Sequence, residues 1–176
     1  ASLGGGFIAL SDDNNGIYYN PAGISQANAV GFSSGYMSYI AGMSYANVST
    51  IIPYKKSTFG ISVDYLSAGI IEETTLAKPT GTGKNISPFS YCATGSFAQR
   101  IFPSVSVGAN LKILGEQISD ASGSGYGADI GALWKINEAY AVGLSGRNIV
   151  GSFGGKSLPL NYGVGISYKT KPLILL

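Results

Sequence analysis

Histidine is absent from the 176 residues, and only 11% of them are charged, against about 25% in soluble domains. The missing histidine excludes His-based triads, His general bases and His metal sites. A single cysteine, Cys92, excludes an internal disulfide and a cysteine-rich metal cluster. A net charge of +2 gives no footing for nucleic-acid binding. No run of 18 apolar residues occurs, so no transmembrane helix is expected. What replaces charge is glycine, 26 residues of it, with Ser, Thr, Asn and 12 tyrosines. The hydrophobic share, 45%, is ordinary. Two classes remain: a turn-rich soluble β-protein, or a membrane β-barrel with an apolar lipid face and a lumen of small polar residues.

Period-two patterning separates them. Residues 58–66 place Phe59, Ile61, Val63 and Tyr65 against Thr58, Gly60, Ser62 and Asp64. The same alternation runs through 89–99, 105–117, 125–135, 140–147 and 160–169, with weaker strands at 30–36 and 42–51. That makes about eight strands of the length a tilted strand needs to cross a bilayer. Short turns are expected at 53–57, 100–104, 137–139 and 170–172, and longer polar loops at 70–87, 120–124 and 150–159. Short turns at one end and long loops at the other are a barrel habit. Tyr54, Phe102, Trp134, Tyr140 and Tyr168 cluster by the short turns; Tyr65, Phe89, Tyr91, Tyr126 and Tyr162 lie nearer the long loops. Membrane interfaces select such bands. A soluble sandwich also alternates, but its solvent face carries Lys, Glu and Arg. Here the polar face is mostly Gly, Ser, Thr and Asn, which suits a narrow hydrated lumen. The expectation is an all-β transmembrane antiparallel barrel. Val63, Leu111, Ile130, Leu144 and Val164 face lipid in it, and Ser62, Lys112, Asp129, Ser145 and Gly165 face the lumen. A charge at Ile130 is expected to be costly and one at Ser145 cheap.

Residues 1–28 break the pattern. Ser11 or Asp12 can cap a short helix, which Asn20-Pro21 then ends. Asp12-Asp13 reads either as a cation or acid pair or as turn chemistry continued by Asn14, Asn15 and Gly16. The stretch Thr80-Gly81-Thr82-Gly83-Lys84-Asn85 mimics a phosphate loop. It has Lys78 where the first glycine belongs and Asn85 where Ser or Thr belongs, so a surface loop is the better reading. Cys92 has no base to activate it and reads as an inert small residue. Lys112, Asp129 and Arg147 share the lumen face. A turn centred near Ala121 puts Lys112 opposite Asp129, and Arg147 falls diagonal to it. Such cross-strand pairs contribute about 0.2–1 kcal/mol. The trio is either a structural ladder or a charged ring that anchors a lumen segment or orients an anionic headgroup. No catalytic, metal or cofactor site is read from the sequence.

The segment Gly5-Gly6-Phe7-Ile8-Ala9, Asp12-Asp13 and Tyr18-Tyr19-Asn20-Pro21-Ala22-Gly23-Ile24 resembles the start of the FadL-like outer-membrane barrels, including the PorV/PorQ and UPF0164 groups. The alanine those proteins carry between Gly6 and Phe7 is missing, and Gly16 stands for a second alanine. Residues 59–65, 125–131 and 143–149 are also similar, the last two favouring the PorV/UPF0164 side. The resemblance implies a 14-stranded barrel, with residues 1–28 as a hatch carrying the motif Asp12, Asp13, Asn20, Pro21 and Gly23, and residues 29–176 as an incomplete set of barrel strands. It implies bacterial outer-membrane residence, contact with membrane lipid and no enzymatic activity. FadL-type members pass hydrophobic small molecules; PorV-type members bind a secreted or surface protein. A purely structural barrel is the third alternative. Eight strands enclose room only for their own side chains, so a hatch beside Gly127, Gly131, Gly143, Gly163 and Gly165 is expected to need further strands.

Overall fold

The alternating stretches become an antiparallel sheet of nine strands in the computed structural model, which describes residues 4–169. The strands are β1 (Gly31–Ser38), β2 (Ser44–Tyr54), β3 (Ser57–Ser67), β4 (Ile71–Glu72), β5 (Asn85–Ile86), β6 (Phe89–Phe102), β7 (Val105–Ile118), β8 (Ala121–Lys135), β9 (Tyr140–Phe153), β10 (Lys156–Ser157) and β11 (Asn161–Tyr168). Pairing follows chain order from β1 to β9, with β10 and β11 both on β9; β4 and β5 form a separate small hairpin. Within the described residues β1 does not pair with β11, so the sheet is open rather than a closed ring. Strands β6 to β9 run 14 or 15 residues, beyond the roughly 9–11 a tilted strand needs to cross a bilayer. No helix among the described residues is long and apolar enough to cross a membrane.

The two faces divide as the period predicts. Val63, Leu111, Ile130, Leu144 and Val164 are all exposed on the outer face. Ser62, Asp129, Ser145 and Gly165 are buried on the inner face, and Lys112 is half-buried there. Ser145 is not the tolerant position it was expected to be. It lies in the wall beside the N-terminal segment, 7% exposed, and its hydroxyl has no hydrogen-bond partner.

Consecutive antiparallel pairing puts the β2–β3, β6–β7 and β8–β9 turns at one end, with Tyr54, Phe102, Trp134 and Tyr140 exposed around them. Tyr140 stacks on Tyr168 at 4.8 Å. The expected turn at 170–172 lies outside the described residues. At the other end two of the three long loops are shorter than expected. Residues 120–124 are no loop: Ser122, Gly123 and Ser124 join the ladder with β7, leaving Ser119 and Asp120 as a tight turn with Ser119 at φ 53°. Serine and glycine read as loop by composition, yet here they serve as narrow strand residues. Residues 150–159 are largely taken up by the end of β9 and by β10, joined at Gly154-Gly155. Residues 70–87 hold the β4–β5 hairpin.

The N-terminal segment lies on the inner face as a 3-10 turn (Gly4–Ala9), helix α1 (Gly16–Tyr19) and a second 3-10 turn (Pro21–Gln26). Ile17 and Ile24 are its apolar anchor, packed with Ile51 of β2 and Ala98 of β6. Burying each isoleucine side chain contributes about 1.5–3 kcal/mol.

Candidate functional site

The seat under the N-terminal segment is built by omission. A Cβ on Gly108 would come within 2.5 Å of the Ala22 amide. One on Gly131 would collide with Asn20 Oδ1, one on Gly143 with the Ile8 carbonyl, and one on Gly163 with the Ile8 side chain. Separations under about 3 Å are not available to real Cβ atoms, so these strands admit the segment only because they carry hydrogen there. Of the five glycines expected to leave room inside, Gly131, Gly143, Gly163 and Gly165 meet the segment; Gly127 instead faces Lys112 and Leu158.

Hydrogen bonds fix the segment in place. Asn14 Nδ2 donates to the Ser49 carbonyl at 3.0 Å and to Ser49 Oγ at 3.2 Å. Fully buried Asn20 donates from Nδ2 to the Ile8 and Ala132 carbonyls at 2.8 and 3.0 Å, while its Oδ1 caps Ala22 N at 3.1 Å. Pro21 follows at the first position of the turn, where its missing N–H costs nothing. Gly23 is required because Ser11 lies against it, with no space for a side chain. Arg100 Nη2 of β6 donates to the Ser25 carbonyl at 3.1 Å. Neither Ser11 nor Asp12 caps α1. Ser11 Oγ donates back to the Phe7 carbonyl at 2.7 Å, Asn15 holds the cap position, and Asp13 Oδ1 accepts from Asn15 N at 2.8 Å. Asp13 thus performs turn chemistry; Asp12 is exposed.

Above α1 the inner face carries a charged cluster. Lys112 Nζ lies 2.6 Å from Asp129 Oδ1, with both side chains largely buried. The register differs from the expected one by two residues. Asn110, not Lys112, stands opposite Asp129, and Lys112 stands opposite Gly127. The tight turn at Ser119-Asp120 moves the centre of the hairpin back toward the N-terminus from Ala121, which makes the Lys112–Asp129 pair diagonal. Asp129 accepts two further bonds: Oδ1 takes the Asn148 amide at 2.8 Å, and Oδ2 takes Asn110 Nδ2 at 3.0 Å. Lys112 also donates to Asn148 Oδ1. Asn110 reaches the N-terminal segment as well, donating to the Ile17 carbonyl at 2.7 Å and accepting from Ser96 Oγ at 2.7 Å.

Arg147 does not join the pair. Arg147, Asn148 and Ile149 of β9 bulge out opposite Asp129 alone, with Asn148 left-handed at φ 56°. Asparagine tolerates that conformation better than most residues. The bulge delivers Asn148 to Asp129 and leaves Arg147 exposed, lining the same cavity with no carboxylate in ion-pair range among the described residues. A second polar knot, unforeseen from the sequence, lies beside it. Asp64 Oδ1 accepts from Asn47 Nδ2 at 2.8 Å and from the Tyr45 hydroxyl, and Asn47 also donates to the Tyr18 hydroxyl. Burial pushes the Tyr18 phenol up from its ordinary value. The signal was present: asparagine is depleted in strands, yet Asn47, Asn110 and Asn148 sit in them, and each makes a tertiary hydrogen bond.

These groups enclose a polar cavity of about 300 Å³ lined by Tyr18, Asp64, Lys112, Asp129 and Arg147 among others. Toward the long-loop end lies a second cavity of about 360 Å³, lined in part by Leu66, Leu114, Phe153 and Leu158. Asp64 and Cys92 line both. Cys92 contacts only Thr94 Oγ1, at 3.6 Å, among polar partners. The phosphate-loop mimic lies in the connection between β4 and β5, reaching the first residue of β5, rather than before a helix. A larger, almost wholly apolar groove of about 700 Å³ lies on the outer face between Phe97 and Val164.

The described residues thus form an antiparallel wall with an apolar outer face and a polar, glycine-lined inner face that seats an N-terminal segment, the layout of part of a β-barrel wall. Among solved structures the chain is similar to the Pseudomonas putida toluene transporter TodX, with a TM-score of 0.53 at 11% identity. The match covers 93% of this chain and 61% of that one, so the chain spans about three-fifths of the TodX structure. At that identity the likeness is one of fold. No family model and no curated protein matches the sequence.

Proposed function

We propose that this chain forms part of a FadL-type barrel in the bacterial outer membrane, which passes a hydrophobic small molecule past a hatch made by the N-terminal segment. The observation that carries this reading is the cavity that takes apolar surface from Leu66, Leu114, Phe153 and Leu158 and shares Asp64 and Cys92 with the charged floor above α1. The fold likeness to a toluene transporter supports it. In this reading a ligand comes from the long-loop side, packs its apolar body against the four apolar side chains and meets the floor. Lys112 and Asp129 anchor the hatch indirectly, because Asn110 bonds both Asp129 and the Ile17 carbonyl. Arg147 orients a polar end of the ligand. Asn20, Pro21 and Gly23 set the shape of the hatch. A disturbance of the pair therefore loosens Asn110 and then α1.

The test is a hatch lock. Asn14 and Ser49 touch, so cysteines at both positions, with Cys92→Ser, pin the hatch to β2 on oxidation. Uptake of N-phenyl-1-naphthylamine by cells producing this variant should fall to background on oxidation and recover with reductant. Uptake that ignores the lock sinks the gated-passage reading. A second reading, a PorV-like component that holds a secreted or surface protein, is supported by exposed Ile70, Ile71 and Leu76 at the long-loop end. Serine at all three should abolish capture of that protein by cross-linking and leave uptake intact.

A further inference from the structure

Asp12 has no role in the turn that Asp13 holds, yet it lines a third cavity, of about 900 Å³, at the short-turn end. This vestibule lies on the far side of the N-terminal segment from the charged floor. The segment supplies Leu10, Asp12 and Gln26; the wall supplies Lys135, Ile136 and Lys169. The two lysines straddle the start of β9. Lys135 pairs across from Ala141, and the Lys169 amide bonds the Ala139 carbonyl at 2.8 Å. Each follows an aromatic residue, Trp134 or Tyr168, that alternation turns to the outer face. The lysines therefore extend from the end of the lumen wall while the rings remain outside. Glu138, on the turn between them, also lines the vestibule. Neither lysine has a carboxylate within 4.0 Å among the described residues. Two ammonium groups without a close counter-ion thus share one chamber with apolar surface from Leu10 and Ile136.

We propose that this vestibule is a binding site for a small organic anion: an apolar body ending in a carboxylate, sulfonate or phosphate. Lys135 and Lys169 hold the oxyanion, and the body packs against Leu10 and Ile136. Asp12 is the built-in competitor, a carboxylate on the hatch that shares the chamber with the same lysines. The site goes beyond the transport reading, since a barrel that passes nothing would still hold it. A soluble anion fits better than a lipid headgroup, because the lysines line a chamber bounded by the N-terminal segment rather than the outer face.

The experiment uses two probes with the same aromatic body, titrated into the full chain in nanodiscs. 1-Anilinonaphthalene-8-sulfonate carries the anion; N-phenyl-1-naphthylamine lacks it. The double variant Lys135→Gln/Lys169→Gln should weaken sulfonate binding roughly tenfold or more, as loss of charge-assisted hydrogen bonds does, and leave the neutral probe unchanged. Asp12→Asn should tighten the sulfonate several-fold. Both lysines are exposed, so the fold does not depend on them. Unchanged sulfonate binding in the double variant, or an equal loss of both probes, overturns the proposal. Neither result bears on the hatch lock, which reads uptake rather than affinity.

Discussion

The two faces of one sheet obey different rules. On the outer face a side chain meets only its neighbours in the same sheet, as Phe59 meets Phe97 at 5.3 Å, so size is free and polarity is constrained: Phe59, Ile61, Leu111 and Ile166 stand there, apolar residues of differing bulk. On the inner face polarity is free and size is constrained. Asp129, Asn110, Ser96 and Thr58 are all buried there, but Gly108, Gly131 and Gly143 cannot grow by a single carbon. The lesson is that a sheet face which seats an N-terminal segment is a packed interface on the side that composition alone would label a hydrated lumen.

That contrast can be broken or sharpened by substitutions whose effects are read as urea stability in phospholipid vesicles, with Trp134, the single tryptophan, as reporter. The largest effect is expected at Lys112→Met, which leaves the buried Asp129 carboxylate without its cation and should cost about 3–5 kcal/mol. A loss under about 1 kcal/mol would mean that Asn110 and Asn148 alone hold the charge. Next comes Ile130→Arg, on the outer face near the middle of β8, at about 2–4 kcal/mol if the site lies at the bilayer midplane. Ser90→Lys, on the inner face opposite Glu116, should cost close to nothing, and equal tolerance at both would mean that the outer face meets water. A glycine pair is finer. Gly131→Ala should cost about 1–3 kcal/mol by overpacking against Asn20. Gly95→Ala, with nothing within 4 Å of the added carbon, should be neutral or slightly stabilising. Equal effects at the two would deny the seat. One change is a gain: Ser145→Ala removes a buried hydroxyl without a partner and should stabilise by about 1 kcal/mol.

Much of the wall was legible because strand alternation is local. Each residue's face follows from its parity, and parity was right for Val63, Leu111, Ile130, Leu144 and Val164 on one side and for Ser62, Lys112 and Asp129 on the other. It also put Arg147 on the inner face, where it lines the polar cavity; what it could not show is the bulge at Asn148, which delivers Asn148 rather than Arg147 to Asp129. Register was misread at the β7–β8 hairpin, where a tight turn at Ser119-Asp120 replaced the expected loop and shifted the partner of Asp129 from Lys112 to Asn110. The Lys112–Asp129 contact survived that shift because a long lysine reaches a diagonal neighbour. The role of Asp13 in turn chemistry was open in the sequence and is settled by its bond to Asn15.

By itself the sequence determined the strand-rich class and the sides of the sheet. Those depend on period and glycine content, which act within a few residues. Only the tertiary structure decided which glycines are indispensable, which asparagines tie the N-terminal segment to the wall and that Lys112 rather than Arg147 pairs with Asp129. Asn20 and Ala132, or Asn110 and Ile17, are about a hundred residues apart along the chain. No local pattern encodes such a contact, because it depends on the relative register of several hairpins, and one tight turn or bulge is enough to change it.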